Sequence, residues 1–213
     1  LISHGSVTFD PKYSPGIGLL TLQNPERHNA LSGKMMAELS DIVDKLENIV
    51  QSNTNTNLNY ENKSNNESML NKENNLIGII VTGSKNTFCS GLDLSVAKDH
   101  ILTPENGKKM SLLMQDTLFR FGQLPLISVA AVEGYALGGG EINALRIMGT
   151  SEPITAKNGL ELGFVDAIAP HGECVNKARE FLDCYVYFSE RNEGKGGNRS
   201  DNINEDRINS VKA

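Results

Sequence analysis

Two short, almost continuous apolar runs constrain the fold of this chain more than any other feature of its sequence. Residues 76–83 (Leu-Ile-Gly-Ile-Ile-Val-Thr-Gly) and residues 126–132 (Leu-Ile-Ser-Val-Ala-Ala-Val) are each followed by a glycine-containing turn. Strands that are apolar on both sides are typical of parallel sheets whose two faces are covered by helices. The sequence therefore predicts an α/β fold.

Further strands and helices are predicted around these two runs. Strands are expected at residues 18–22 and 160–169, and helices from Ser32, at 107–124, at 174–188, and after the glycine triplet 138–140 with Ile142, Leu145 and Met148 inward. The helices follow from apolar residues at helical spacing, and the Ser32 hydroxyl is suited to cap free amides. Helices alternating with strands agree with the α/β prediction.

Two polar segments lack any such pattern. Ten of the twenty-five residues at 51–75 are Asn, and residues 189–213 are rich in Gly, Asn and charge. Neither segment carries enough apolar surface to offset the entropy of ordering, so residues 51–75 are predicted to be a disordered or loosely ordered insertion and residues 189–213 a disordered tail. The predicted organisation is one core over residues 1–188, with an insertion at 51–75 and a tail at 189–213.

Composition excludes several functional classes. The net charge of −6 argues against a nucleic-acid-binding face, and no apolar run approaches the ~20 residues of a membrane span. Three unevenly spaced cysteines do not suggest a disulfide framework or a zinc site. No metal is therefore expected. Residues that match the nucleotide-binding G-x-G-x-x-G or P-loop patterns are also lacking.

Two glycine-bearing turns carry the predicted chemistry. Residues 87–94 (Thr-Phe-Cys-Ser-Gly-Leu-Asp-Leu) and the triplet 138–140 each follow a predicted buried strand. Glycine lets a backbone approach a ligand closely, and two amide donors aimed at a carbonyl oxygen stabilise an enolate or an oxyanion. Each motif alone is weak, since a glycine triplet is more often a packing device. Cys89 is not expected to be a nucleophile, because no base accompanies it.

Three successive segments together resemble the signatures of the crotonase (enoyl-CoA hydratase/isomerase) superfamily. They are residues 24–31 (Asn-Pro-Glu-Arg-His-Asn-Ala-Leu), 88–94 and 131–140 (Ala-Val-Glu-Gly-Tyr-Ala-Leu-Gly-Gly-Gly). The resemblance covers roughly residues 5–50 and 76–140 and implies a crotonase-like (ββα) spiral, here incomplete. Residues 103–129 resemble one branch more closely, the ethylmalonyl-CoA decarboxylases.

The resemblance also implies site residues. The two oxyanion amides would be those of Leu92 and Gly139. The loop of Arg27, His28 and Asn29 would lie against the CoA nucleotide. Phe88 and Ser90 would lie near the pantetheine and adenine. Arg27 and His28 are alternatively ordinary loop residues, and Phe88 packs in the core under either reading.

The chain departs from the family pattern after the triplet. Glu141 follows Gly140 directly, where the family places one residue between them, and one residue is about 100° of rotation on a helix. A block of the family fold that normally precedes residues 155–166 is missing, together with its second acid/base segment. A hydratase needs paired carboxylates, whereas a decarboxylase needs chiefly the enolate-stabilising amides.

Three functions remain open from the sequence. The favoured one is decarboxylation of ethylmalonyl-CoA or methylmalonyl-CoA through an enolate, with no cofactor beyond the CoA thioester itself. The alternatives are an enoyl-CoA hydratase or isomerase with Glu141 as base, and an inactive shortened form. An acyl-CoA is the expected partner, without nucleic acid or membrane. The family forms homo-oligomers, and the expected location is the cytosol, with mitochondria as the alternative.

Overall fold

The computed structural model describes residues 4–58, 75–93, 103–134, 136 and 154–193. Strands in this part of the chain form one sheet: β1 (Ser6–Ser14), β2 (Ile17–Gln23), β3 (Gly78–Gly83) and β4 (Ile127–Ala131). They lie side by side in chain order. β1 pairs antiparallel with β2, whereas β2 with β3 and β3 with β4 are parallel. Parallel pairing at β3 and β4 is what their continuous apolar runs predict.

Helices connect and cover the strands. They are a 3₁₀ turn (Pro25–Arg27) followed by α1 (Gly33–Leu58), α2 (Pro104–Gln123), α3 (Ala156–Glu161) and α4 (Cys174–Glu193). The predicted cap of α1 is confirmed, because the Met35 amide donates to the Ser32 hydroxyl at 3.2 Å. Thr103 caps α2 in the same way through the amide of Asn106. These caps satisfy amides that lack intrahelical partners.

The sheet has a packed core on each face. Alternation along the strands sends Leu20, Leu22 and Ile79 to one face, where they meet α1. Ile17 and Ile80 point to the other face, where they meet Leu182 and its neighbours on α4. Successive side chains of a strand point to opposite faces, so helices on the two faces bury most of the central strands β2 and β3. The predicted α/β arrangement is confirmed.

Two sequence predictions about strands are wrong. Residues 160–169 are not a strand: α3 ends at Glu161, and the chain then turns at Gly163, whose φ is +74°. Thr155 caps α3 through the amide of Asn158, a local signal that the apolar pattern obscured. The edge strand β1 was not predicted, because Asp10, Pro11 and Lys12 interrupt its pattern. Its antiparallel pairing with β2 forms it nonetheless.

The two segments predicted to be disordered begin as helix. α1 continues to Leu58, eight residues into the Asn-rich segment, and α4 continues to Glu193 past the predicted boundary at 188. These parts of the prediction are wrong, because an established helix extends at the cost of one residue's order for each new hydrogen bond. The remainder of both segments, and the helix expected after the triplet 138–140, lie outside the described residues.

Candidate active site

The loop between β2 and α1 is held by the side chain of Asn29. Its Oδ1 accepts hydrogen bonds from the Asn24 amide at 2.8 Å and the Ser84 hydroxyl at 3.0 Å. Its Nδ2 donates to the carbonyl oxygens of Ser84 at 2.8 Å and Thr87 at 2.6 Å. All four hydrogen-bonding positions of the amide are therefore used, and the residue is fully buried. Asn29 joins the first loop to the second.

The CoA contact that the resemblance implied for the loop of Asn29 stays a prediction. Any such contact would be made by other groups of the loop, because the Asn29 side-chain amide already has four protein partners. Asn29 and the preceding His28 both have positive φ, at 55° and 51°. This backbone conformation is uncommon outside glycine, but asparagine adopts it more readily than most residues. Asn29 therefore shapes the loop.

The second loop starts where β3 ends. A side chain at Gly83 would collide with the backbone of Thr87 and Phe88, so the chain folds back on the end of its own strand only because this residue is glycine. Gly134, after β4, has the same role, since a side chain there would strike the carbonyl oxygen of Asn86. Phe88, which follows Thr87 in this loop, is half-buried.

Residues 90–93 then run alongside residues 28–31. The Ser90 amide donates to the His28 carbonyl at 3.0 Å, and the Leu31 amide donates to the Gly91 carbonyl at 2.8 Å. The Asp93 amide donates to the Leu31 carbonyl at 3.1 Å, which completes a parallel bridge between Leu31 and Leu92. The two loops form a short two-stranded ribbon beyond the carboxyl ends of β2 and β3.

This ribbon fixes the direction of the Leu92 amide. The Gly91 carbonyl and the Leu92 N–H belong to one planar trans peptide, so they point in opposite directions. Because the carbonyl points at Leu31, the N–H points away from the first loop. Among the described residues it has no acceptor, and the Leu92 side chain is 43% exposed. The N–H is therefore available to a ligand oxygen.

The segment after β4 lies on that open side. Ala136 forms a parallel bridge with Cys89, three residues before Leu92. Burial raises the pKa of the Cys89 thiol, and a hydrogen bond from the Gly91 amide opposes this only in part. A protonated thiol agrees with the prediction that Cys89 is not a nucleophile. Gly139 and Glu141, predicted for catalysis, lie outside the described residues.

The other predicted residues are placed around the ribbon. Arg27 is half exposed and its Nη1 lies 3.2 Å from Oδ1 of Asp93. His28 is exposed. The Ser90 hydroxyl donates to the carbonyl of Arg27 at 3.1 Å, so it binds the loop. Nothing in these contacts tests whether Arg27, His28, Phe88 or Ser90 touches CoA, and their binding role stays a prediction.

Asp93 is a site residue that the sequence reasoning missed. It is 2% exposed and lies directly after Leu92. A carboxylate between two leucines, just after a predicted turn, was the available signal, because buried acids in proteins are almost always paired. Its partner Arg27 is 66 residues away in the chain, which no local pattern reveals.

The described residues contain no helix that is both long and apolar enough to cross a membrane. No group of three or more His, Cys, Asp or Glu side chains in the described ranges is arranged to hold a metal ion.

Comparison with known protein sequences gives consistent matches. The enoyl-CoA hydratase/isomerase family model matches residues 65–146. Ethylmalonyl-CoA decarboxylase of Rattus norvegicus is 44% identical over 136 residues, which are 64% of this chain and 37% of that protein. The Bos taurus protein of the same name is 32% identical over 220 residues, covering 82% of this chain and 64% of that protein. The chain thus spans between about a third and two thirds of the length of these relatives.

Comparison with solved structures gives the fold. An enoyl-CoA hydratase of Mycobacterium smegmatis superposes with a TM-score of 0.66 at 18% identity, covering 84% of this chain and 76% of that one. An enoyl-CoA hydratase from Polaromonas sp. JS666 gives 0.65 at 18% identity, with 85% and 77% covered. The predicted crotonase-like fold is confirmed. The chain therefore has the fold of the enoyl-CoA hydratases, or crotonases, and its sequence is similar to that family over residues 65–146.

Proposed function

We propose that this protein decarboxylates ethylmalonyl-CoA or the closely similar methylmalonyl-CoA. The bond between the α-carbon and the free carboxylate breaks, and carbon dioxide leaves. The electron pair passes into the thioester to form an enolate, whose oxygen accepts hydrogen bonds from the amides of Leu92 and Gly139. A proton added at the α-carbon then gives butyryl-CoA or propionyl-CoA. The reaction consumes only the thioester and a proton, so the proposal involves no cofactor.

The direction of the Leu92 N–H carries this proposal. It is turned away from Leu31 and toward the side on which Cys89 pairs with Ala136. Leu92 follows Cys89 by three residues, and Gly139 follows Ala136 by three. We propose that the Gly139 amide is the second donor, as the family resemblance of residues 131–140 implies. Two preorganised donors are worth far more to a developing enolate than to the ground-state carbonyl.

The sequence relatives support the choice of reaction. The proteins that match at 44% and 32% identity are named ethylmalonyl-CoA decarboxylases. A decarboxylase also fits a site whose described part offers the backbone donor of Leu92, because the leaving carboxylate needs no general base to activate water. The hydratase alternative would require Glu141 as a base.

The test is turnover of ethylmalonyl-CoA by the purified protein, with butyryl-CoA measured by chromatography. Gly139→Pro removes one amide donor, and we expect a rate loss of roughly a hundredfold or more. Gly122→Ala is the control, because Gly122 lies on α2 with open space around it. Absence of turnover in the parent protein, or full activity in Gly139→Pro, would refute the proposal.

A second assay separates the proposed reaction from hydration. The parent protein and Glu141→Gln are compared on ethylmalonyl-CoA and on crotonyl-CoA. We expect decarboxylation to survive in Glu141→Gln. Hydration of crotonyl-CoA that exceeds decarboxylation, and that disappears in Glu141→Gln, would favour the hydratase instead.

A further inference from the structure

The plane of the peptide between Gly91 and Leu92 would rotate readily if neighbouring groups did not hold it. Gly91 has a φ of +88°, a conformation that costs glycine little and gives the peptide plane freedom to rotate. Rotation would exchange the outward N–H for an outward carbonyl. A carbonyl oxygen in that position would repel an enolate oxygen. The orientation of this one peptide therefore decides whether the proposed site binds negative charge.

Hydrogen bonds on both sides of Leu92 oppose the rotation. The Leu31 amide holds the Gly91 carbonyl at 2.8 Å, and the Leu31 carbonyl holds the Asp93 amide at 3.1 Å. Both are backbone bonds to a single residue of the first loop. They persist only while residues 91–93 stay in contact with that loop.

The ion pair of Arg27 and Asp93 ties the same two loops together. Asp93 is almost fully buried, and its Oδ1 lies 3.2 Å from Nη1 of Arg27. The hydrogen bond that Ser90 donates to the Arg27 carbonyl fixes the backbone of the arginine from the other side. Arg27 therefore reaches across the ribbon and contacts the residue that follows the amide donor.

We propose that Arg27 and Asp93 are a positioning pair that keeps the Leu92 N–H directed at the thioester oxygen. This proposal rests on the proposed function and gives Arg27 a different role from the CoA contact that the sequence suggested. A residue that contacts CoA would affect substrate binding, and its loss would raise KM. A positioning pair acts on the stabilisation of the enolate, and both of its members act together.

The first experiment separates these roles by steady-state kinetics on ethylmalonyl-CoA. Arg27→Gln, Asp93→Asn and the double variant are compared with the parent. We expect each single variant to lower kcat by roughly tenfold to a hundredfold with KM nearly unchanged, since only an interaction made in the transition state is weakened. The double variant should lose no more than either single one, because both changes break one contact.

The matched control is Arg179→Gln. Arg179 and Asp183 on α4 also form an Arg–Asp pair, at 3.0 Å and remote from the ribbon, so its loss should leave kcat and KM unchanged. Arg27→Lys keeps the charge on a half-exposed side chain and should restore part of kcat. It also provides a folded variant if Asp93→Asn melts at the assay temperature. A raised KM at constant kcat in Arg27→Gln, or additive losses in the double variant, would overturn the positioning role.

A spectroscopic measurement distinguishes failure of this inference from failure of the proposed function. Butyryl-CoA labelled with ¹³C at the thioester carbonyl is bound to each protein, and the carbonyl stretch is recorded by infrared difference spectroscopy. We expect a shift to lower frequency in the parent and a smaller shift in Arg27→Gln. No shift in the parent would refute the oxyanion site itself. Equal shifts in the parent and in Arg27→Gln would refute only the positioning pair.

Discussion

The helices α1 and α2 are both amphipathic in sequence, yet they are packed very differently. α1 buries six apolar side chains against the sheet, namely Met35, Met36, Leu39, Ile42, Val43 and Leu46. α2 has only Thr117 buried, although it is 20 residues long. Leu112, Leu118 and Phe119 on α2 are each more than half exposed. The apolar pattern of a helix indicates which of its faces could be buried. It does not show which other part of the protein packs against that face.

The same contrast holds for the two parts of the described chain. Large apolar side chains that are exposed all occur at Leu92 or later, whereas the earlier residues supply most of the core around α1. The free energy of unfolding should therefore depend mainly on the first part. The loops that carry Asn29 and Leu92 are built on this well-packed part, which is where an oxyanion site needs rigidity.

The largest expected effect comes from removing the Asn29 side chain. Asn29→Ala leaves the Asn24 amide and the carbonyls of Ser84 and Thr87 buried without their partner. At about 1–3 kcal/mol for each of these three unsatisfied groups, the free energy of unfolding should fall by about 3–9 kcal/mol. Urea denaturation measures this. Asn176→Ala is the control, since its amide bonds only the exposed Glu173, and a loss similar to that of Asn29→Ala would contradict the comparison.

A pair of leucine variants tests the contrast between α1 and α2 directly. Leu46 is fully buried, so Leu46→Ala should cost about 2–5 kcal/mol through lost burial and the cavity left behind. Leu118 is 56% exposed, so Leu118→Ala should change the free energy of unfolding by less than about 0.5 kcal/mol. Urea denaturation of both variants provides the measurement. Equal losses in the free energy of unfolding for the two variants would mean that α2 is packed as closely as α1.

The smallest expected effect concerns the ion pairs that join α2 to α1. Arg120 hydrogen-bonds to Glu47 and Asp44, and its bond to Glu47 holds the pKa of that carboxyl group below its ordinary value of 4.5, although the neighbouring charge of Asp44 opposes this. A lowered folded-state pKa contributes stability above the ordinary value and loses it as the pH falls through the lowered one. Arg120→Gln should therefore lower Tm slightly at neutral pH, and the difference from the parent should shrink below pH 4.5.

Thermal melts over a pH series measure this effect. Lys109→Gln is the matched control on the same helix, because Lys109 pairs with Glu105 and both side chains are strongly exposed. A Tm difference for Arg120→Gln that grew toward low pH would contradict the assigned ion pairs.

Local patterns predicted the elements whose signals are contained within a few residues. The apolar runs at β3 and β4, the spacing in α1, α2 and α4, and the Ser32 cap all gave correct elements. β1 was not predicted from the sequence, because it is stabilised by its pairing with β2 and its own residues show no strand pattern. The segment after residue 160 was predicted wrongly because a short apolar run does not by itself show whether it forms a strand, and here Leu162 and Ile168 are exposed outside any strand.

The sequence by itself indicated the family resemblance, the positions of the two buried strands and the glycine-bearing turns after them, because these are recorded in consecutive residues. Only the tertiary structure decided that the Asn29 side-chain amide makes four hydrogen bonds within the protein and that Arg27 pairs with Asp93. It also decided which way the Leu92 N–H points. Hydrogen bonds to Leu31, about 60 residues earlier in the chain, orient that peptide, and such contacts leave no periodic trace in sequence.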